Sequence, residues 1–201
     1  MKFRLIESID NKGNELSSSQ TTFFKNSKVV DDNGNLLVCY RGTKNKANRT
    51  AFRGFIKWFT TSEEYANKYN VDNDDNKTYA CYLNCDNIFD CGVTDGYLFG
   101  LNPVIRHLSP SAKQLFDKLN VNEEQFNELF KDELQNQATS QTMHIYTIVR
   151  TDKFGELVKQ AGYDAIRTVE EKTNVCYGVF NDEDIKSVDN LNPTNSTDMN
   201  N

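Results

Sequence analysis

Apolar and polar positions divide the chain into short blocks, most of them too brief for long helices. KFRLIES supplies one short strand near the N-terminus, and the chain then turns polar through SSSQ. SKVV and LLVCY are two apolar runs separated by DDNGN. Asn and Gly accept positive φ at little cost, so this spacing predicts a hairpin. The aromatic run WFTT reads as a strand end, followed by Ser62, Glu63 and Glu64. A hydroxyl cap with acids in the first turn predicts a helix start there, with Tyr65 and Tyr69 one turn apart on one face. TYACYLNCDNIFDC alternates well enough for a strand and its continuation.

The second half begins helical. Ser109-Pro110 is a helix opening, because proline at the first helical position loses no needed donor. Phe126, Leu129, Phe130 and Leu134 follow at helical spacing, so residues 100–140 are expected to form a helical lobe inserted in the domain. HIYTIV fits a strand and a buried helix equally well. DKFGELVKQAGYD reads as a helix stopped by Gly162. DAIRTV and VCYGVF read as two strands separated by the polar loop EEKTN, and NDEDIKSV closes the domain. The expected organisation is one domain over 1–190, with a disordered polar tail over 191–201.

Composition narrows the function. The chain has 201 residues, enough for one domain with a modest core, and 13 Phe and 9 Tyr make large rings the main source of burial. A formal net charge of −6 disfavours a global attraction to nucleic acid or to an anionic membrane, so any anion site has to be local. No apolar run approaches the ~18 residues of a membrane span, and the N-terminus lacks the pattern of a secretory signal, so a cytoplasmic protein is expected. The five cysteines form no CxxC pair, and His107 and His144 are far apart, so no metal site is expected and the thiols read as small buried hydrophobes. VDNDDNK lacks the glycine and terminal glutamate of a calcium loop. Abundant Asn and Lys with few Pro suggest AT-rich coding, as in a low-GC bacterium or its phage.

Two features carry candidate chemistry. Lys44, Lys46, Arg49, Arg53 and Lys57 follow one another without an intervening acid. That run is either a solvated face or a local phosphate cradle. In LLVCYRGT, Arg41 ends an apolar strand and Gly42 follows at once. This is either a strand leaving the core or an anion-binding corner.

Three fragments then stand in order: Tyr40-Arg41-Gly42-Thr43, Trp58-Phe59-Thr60-Thr61-Ser62 with its helix, and the closing strand VCYGVF. This order resembles the ADP-ribosyltransferase fold, most closely the small domains encoded by phages and mobile elements. NSKVVDDNGNLLVCYRGT resembles their opening, WFTTSEEYANKY their second motif, and GYDAIRT with YGVFNDEDIKS and the following Asn-Pro their C-terminal end. The likeness covers roughly residues 22–92 and 150–195. It implies an α+β fold of two packed, mostly antiparallel β-sheets with flanking helices. It also implies NAD as co-substrate, no metal, and a macromolecular acceptor, with a host protein favoured and nucleic acid not.

The resemblance also assigns residues. Cleavage of the nicotinamide–ribose bond develops positive charge on the ribose. Arg41 fits the family's arginine-first branch and would grip a phosphate or ribose oxygen. Gly42 would allow close backbone approach, and Thr60 would orient the catalytic carboxylate. Phe59 and Tyr69 would wall the nicotinamide ring, and Tyr40, Thr43 and Thr61 complete the implied cofactor-binding set. Singly, these residues read more simply as a surface ion pair, a helix cap and core packing. At the third motif the family places a glutamate at the start of the last strand, where Asn174 and Cys176 stand here. A neutral thiol cannot replace a carboxylate. Glu170 or Glu171 could swing in as the catalytic carboxylate, the register could differ, or the domain no longer transfers. The expected activity is mono-ADP-ribosyl transfer by a phage or bacterial effector. The alternatives are an inactive binding module and an NAD glycohydrolase.

Overall fold

The computed structural model describes residues 8–43, 52, 54–70, 77–100, 107–136 and 143–201. Its elements in chain order are α1 (Ser18–Phe23), β1 (Cys39–Thr43), β2 (Lys57–Thr60), α2 (Glu63–Asn67), β3 (Lys77–Leu83), β4 (Ile88–Val93), α3 (Pro110–Lys118), α4 (Glu123–Leu129), α5 (Lys131–Asn136), α6 (Ile145–Val149), α7 (Asp152–Gln160), β5 (Ala165–Glu170), β6 (Asn174–Val179) and β7 (Ile185–Ser187). Local chemistry accounts for several boundaries. Asp31 to Asn35 forms the expected turn, with Gly34 at φ +84° and a Val30–Leu36 bridge across it. Ser62 caps α2, and Ser109 caps α3 with Pro110 in its first turn. HIYTIV is a helix. Helix α1 falls in a stretch that reads only as polar, yet Ser17 and Gln20 form a reciprocal capping box there. The KFRLIES strand lies outside the described residues apart from Ser8.

The strands form one sheet in the order β4-β5-β6-β2-β1-β3-β7, with only β4–β5 parallel among the described pairs. The two separate sheets expected from the sequence are therefore corrected to one. The reason lies at the middle of the sheet, where Tyr40 pairs with Thr60 and joins halves that would otherwise be separate. One core cluster is shared by the halves, with Cys39, Cys81 and Leu83 from one side and Phe59, Tyr177 and Val179 from the other. A second cluster seats Phe89 and Ile166 of β4 and β5 against Phe116, Phe126, Phe130 and Phe154 of the helices. Leu129, at the same helical spacing, stays on the surface at the last residue of α4. The helical lobe is thus packed onto the sheet through its phenylalanines.

The C-terminal residues, expected to be a disordered tail, pack against β7. The Lys186 ammonium donates to the Ser196 and Asp198 carbonyls, the Ser187 amide donates to the Met199 carbonyl, and Met199 is buried. A polar sequence can be ordered when its carbonyls find buried donors. No described helix is long and apolar enough to cross a membrane.

Candidate active site

The central cleft begins where the β1–β2 ladder stops. Tyr40 is paired with Thr60, but β1 continues through Arg41 and Gly42 paired only to β3. The diverging strands open a cavity of about 210 Å³. One wall is Arg41, Gly42, Trp58, Phe59 and Thr60, with Tyr40 at its edge; the other is Tyr65, Tyr69, Arg150 and Glu170.

On the first wall, Arg41 Nη1 donates to the Trp58 carbonyl at 3.1 Å, spanning the gap between the strands. Its guanidinium lies over the Phe52 and Phe59 rings at 5.1 and 5.8 Å, so the cation is held by aromatic faces. Gly42 is required for a different reason than ligand approach. A Cβ there would come within 2.2 Å of the Ala66 carbonyl oxygen, so only glycine lets α2 lie this close to β1. Thr60 Oγ1 donates to the Val175 carbonyl at 3.1 Å, which ties β2 to the start of β6 rather than holding a carboxylate directly.

Not every implied binding residue reaches the cleft. Thr43 is turned away, its amide donating to Asn70 Oδ1 and its hydroxyl to the Lys77 carbonyl. Thr61 donates its amide to Val175 and lines a different surface. Lys57 is also accounted for structurally, since its buried ammonium donates to the Phe180 carbonyl at 2.7 Å and pairs with Asp182 at 3.4 Å. Lys44, Lys46, Arg49 and Arg53 lie outside the described residues.

The second wall centres on Glu170, whose side chain is only 6% exposed at the end of β5. Glu170 Oε2 accepts from Tyr65 Oη at 3.0 Å and from Arg150 Nη2, and Oε1 accepts from Thr168 at 3.4 Å. Tyr69 Oη donates to Tyr65 Oη at 3.1 Å, and Arg150 also donates to Tyr69. Burial, the Tyr69 bond and the Glu170 charge push the Tyr65 hydroxyl far up, so it remains a neutral donor. Burial works against the Arg150 cation, but Tyr69 and Glu170 outweigh it and the group is held firmly charged.

Glu171 has the opposite placement. It sits at φ +47° in the β5–β6 turn, with its side chain exposed and paired to Lys68. Asp95 holds this turn by accepting the Glu171 and Lys172 amides at 3.1 and 2.9 Å, offsetting two consecutive positive-φ residues without glycine. Asn174 faces Glu170 across the ladder, and Cys176 is buried between Thr60 and Thr168 of the neighbouring strands. Burial and the nearby Glu170 charge push the Cys176 thiol up to about 12, so at neutral pH it is an uncharged thiol.

A continuous stretch, residues 31–195, matches the family described as ADP-ribosyltransferase in polyvalent proteins. The chain belongs to this ADP-ribosyltransferase family. The match runs through the helical lobe that the sequence motifs leave uncovered. No curated protein and no solved structure matches the chain. Within this ADP-ribosyltransferase domain, sequence reasoning missed Arg150, Tyr65, Trp58 and Asp95 as members of the site. Tyr65 carried a signal in its helical spacing from Tyr69. Arg150 carried none, since it follows a segment whose periodicity does not separate strand from helix. No group of three His, Cys, Asp or Glu able to hold a metal occurs among the described residues.

Proposed function

We propose that this chain is a mono-ADP-ribosyltransferase that uses NAD as co-substrate, acting as a phage or bacterial effector on a host macromolecule. The observation that supports this is one cleft with Arg41 on one wall and the buried carboxylate of Glu170 on the other. The residues suit the nicotinamide riboside end of NAD. Phe59, Trp58 and Tyr69 offer ring faces, Arg41 offers a fork for a phosphate or ribose oxygen, and Glu170 offers an acceptor for a ribose hydroxyl. NAD supplies the ribosyl group and nicotinamide as leaving group. Glu170 places a carboxylate where positive charge develops on the ribose, and Tyr65 and Arg150 hold that carboxylate in position. Glu170, one strand before the position the family uses, thereby takes the role left open by Asn174 and Cys176.

The test is incubation with NAD labelled in the adenylate portion, plus cell lysate, with nicotinamide release followed in parallel. Release with label on a macromolecule is expected, and Arg41→Ala should lower release by about 10²-fold or more. Release without macromolecular label would favour a glycohydrolase, and neither would favour an inactive binding module.

A further inference from the structure

Arg150 and Glu170 come from different parts of the chain, yet one short run of backbone ties both. That run is residues 94–100, between β4 and the helical lobe. Thr94 is fully buried and bonded in two directions. Its amide donates to the Val169 carbonyl at 3.1 Å, beside Glu170. Its carbonyl accepts the Tyr146 amide at 3.2 Å, and the Tyr146 carbonyl accepts the Arg150 amide at 3.1 Å. Main-chain bonds therefore lead from one residue to Arg150 and to the neighbour of Glu170. Asp95 adds a side-chain tie, because its carboxylate accepts the Glu171 and Lys172 amides. Its carbonyl also lies 2.6 Å from His144 Nδ1.

The rest of the same run holds the lobe. The Ile145 amide donates to the Gly96 carbonyl at 2.9 Å, the Leu98 amide to the Met143 carbonyl at 2.7 Å, and the Ser109 amide to the Leu98 carbonyl at 2.9 Å. Leu98 is fully buried and belongs to the core cluster of Phe116, Phe126 and Phe130. Residues on both sides of the lobe are thus bonded to the run that anchors Glu170. Helix α6 has five residues, and its first two hang on Gly96 and Thr94, so Arg150 at its far end is placed by that run. On the other side, Glu171 and Lys172 both hold positive φ without glycine, a turn that needs an outside acceptor to keep its shape. A transition-state contact is sensitive to displacements of an ångström, so the common support sets whether Arg150 and Glu170 meet correctly.

We propose that Asp95 is a positioning residue for the transfer reaction. Together with Thr94 it registers Arg150 against Glu170, which makes the base of the helical lobe part of the catalytic geometry. This rests on the reading of Glu170 given above. Asp95 acts through the backbone of the β5–β6 turn, by the placement of its two oxygens. It also lines a cavity beside Glu170, so a direct action of its charge is the competing account. Placement and charge are separable by substitution. Asp95→Asn keeps an acceptor at the same distance from the backbone and removes the charge. Asp95→Glu keeps the charge and moves the acceptors by one methylene.

The experiment measures steady-state nicotinamide release from NAD for the full chain and for Asp95→Ala, Asp95→Asn and Asp95→Glu, each below its own melting transition. Asp95→Ala and Asp95→Glu should lower kcat by about tenfold and leave KM for NAD within about twofold, the pattern of a contact that matters in the transition state. Asp95→Asn should stay within about threefold of the parent kcat, because it still offers a carbonyl to the turn. The Asn and Glu pair decides the matter even where Asp95→Ala does not fold. Loss in Asp95→Asn with activity kept in Asp95→Glu overturns the proposal in favour of charge. A raised KM with kcat unchanged overturns it as well. Hydrogen exchange supplies a readout that needs no turnover. Asp95→Glu should speed exchange at Tyr146 and Arg150 as well as at Glu171 and Lys172, relative to amides of β3 that report global stability. A rise confined to Glu171 and Lys172 shows a local turn effect and overturns the coupling. If the parent chain releases no nicotinamide, the transferase reading fails by itself, and the exchange pattern alone decides whether Asp95 registers Arg150 against Glu170.

Discussion

The two walls of the cleft are built by different means. Arg41, Gly42, Phe59 and Thr60 come from two neighbouring strands, and main-chain pairing with β3 and β6 sets their positions. Glu170, Arg150, Tyr65 and Tyr69 come from the end of one strand, the end of α6 and the helix α2, and side-chain hydrogen bonds among themselves align them. A wall fixed by backbone register tolerates the loss of one side chain with little movement of the others. A wall fixed by a network does not, because its members orient one another.

The largest expected effect sets the two acids of the second wall against each other. Glu170→Gln keeps the size and an acceptor for Tyr65 but removes the charge facing the cleft. It should lower nicotinamide release by about 10²–10³-fold, in the range of other preorganised electrostatic groups. Glu171→Gln should cost far less, because Glu171 points to solvent beside Lys68. Release rates for the two variants, with a thermal melt for each, check this. Equal losses would break the assignment of the carboxylate to Glu170.

The next effect tests the first wall through its backbone. Gly42→Ala should destabilise the fold by about 2 kcal/mol, the usual scale of overpacking, because the new methyl meets the Ala66 carbonyl. Urea unfolding measures it, and an unchanged midpoint would show that α2 does not lie as close to β1 as described.

The smallest effect concerns the turn that carries Glu170. Asp95→Ala removes the acceptor for two amides of a turn with consecutive positive φ, which should cost about 1–2 kcal/mol. Hydrogen exchange at Glu171 and Lys172 should rise with it. Unchanged exchange would mean the turn holds its shape without Asp95.

Much of the fold was legible where local chemistry decides structure. The Asp31–Asn35 turn, the caps at Ser62 and Ser109, and the strands on both sides of EEKTN each follow from a few adjacent residues. Arg41, Phe59, Thr60 and Tyr69 were legible as one group because two motifs carry them. Arg150, Tyr65 as a partner of Glu170, and Asp95 were not, because their roles depend on contacts across 20, 105 and about 76 positions of sequence. Thr43 and Thr61, named by the same two motifs, bond instead to Asn70, Lys77 and Val175 outside the lining of the cleft, contacts that a motif does not encode.

By itself the sequence determined many of the elements, the corner at Arg41 and the family resemblance, because capping, turn chemistry and motif order act over a few residues. Only the tertiary structure decided that the strands form one sheet joined at Tyr40 and Thr60. It also decided that the tail packs, and that Glu170 rather than Glu171 enters the cleft. Two adjacent glutamates are equivalent in sequence. They separate only when strand alternation buries one beside Arg150 and the turn held by Asp95 leaves the other in solvent.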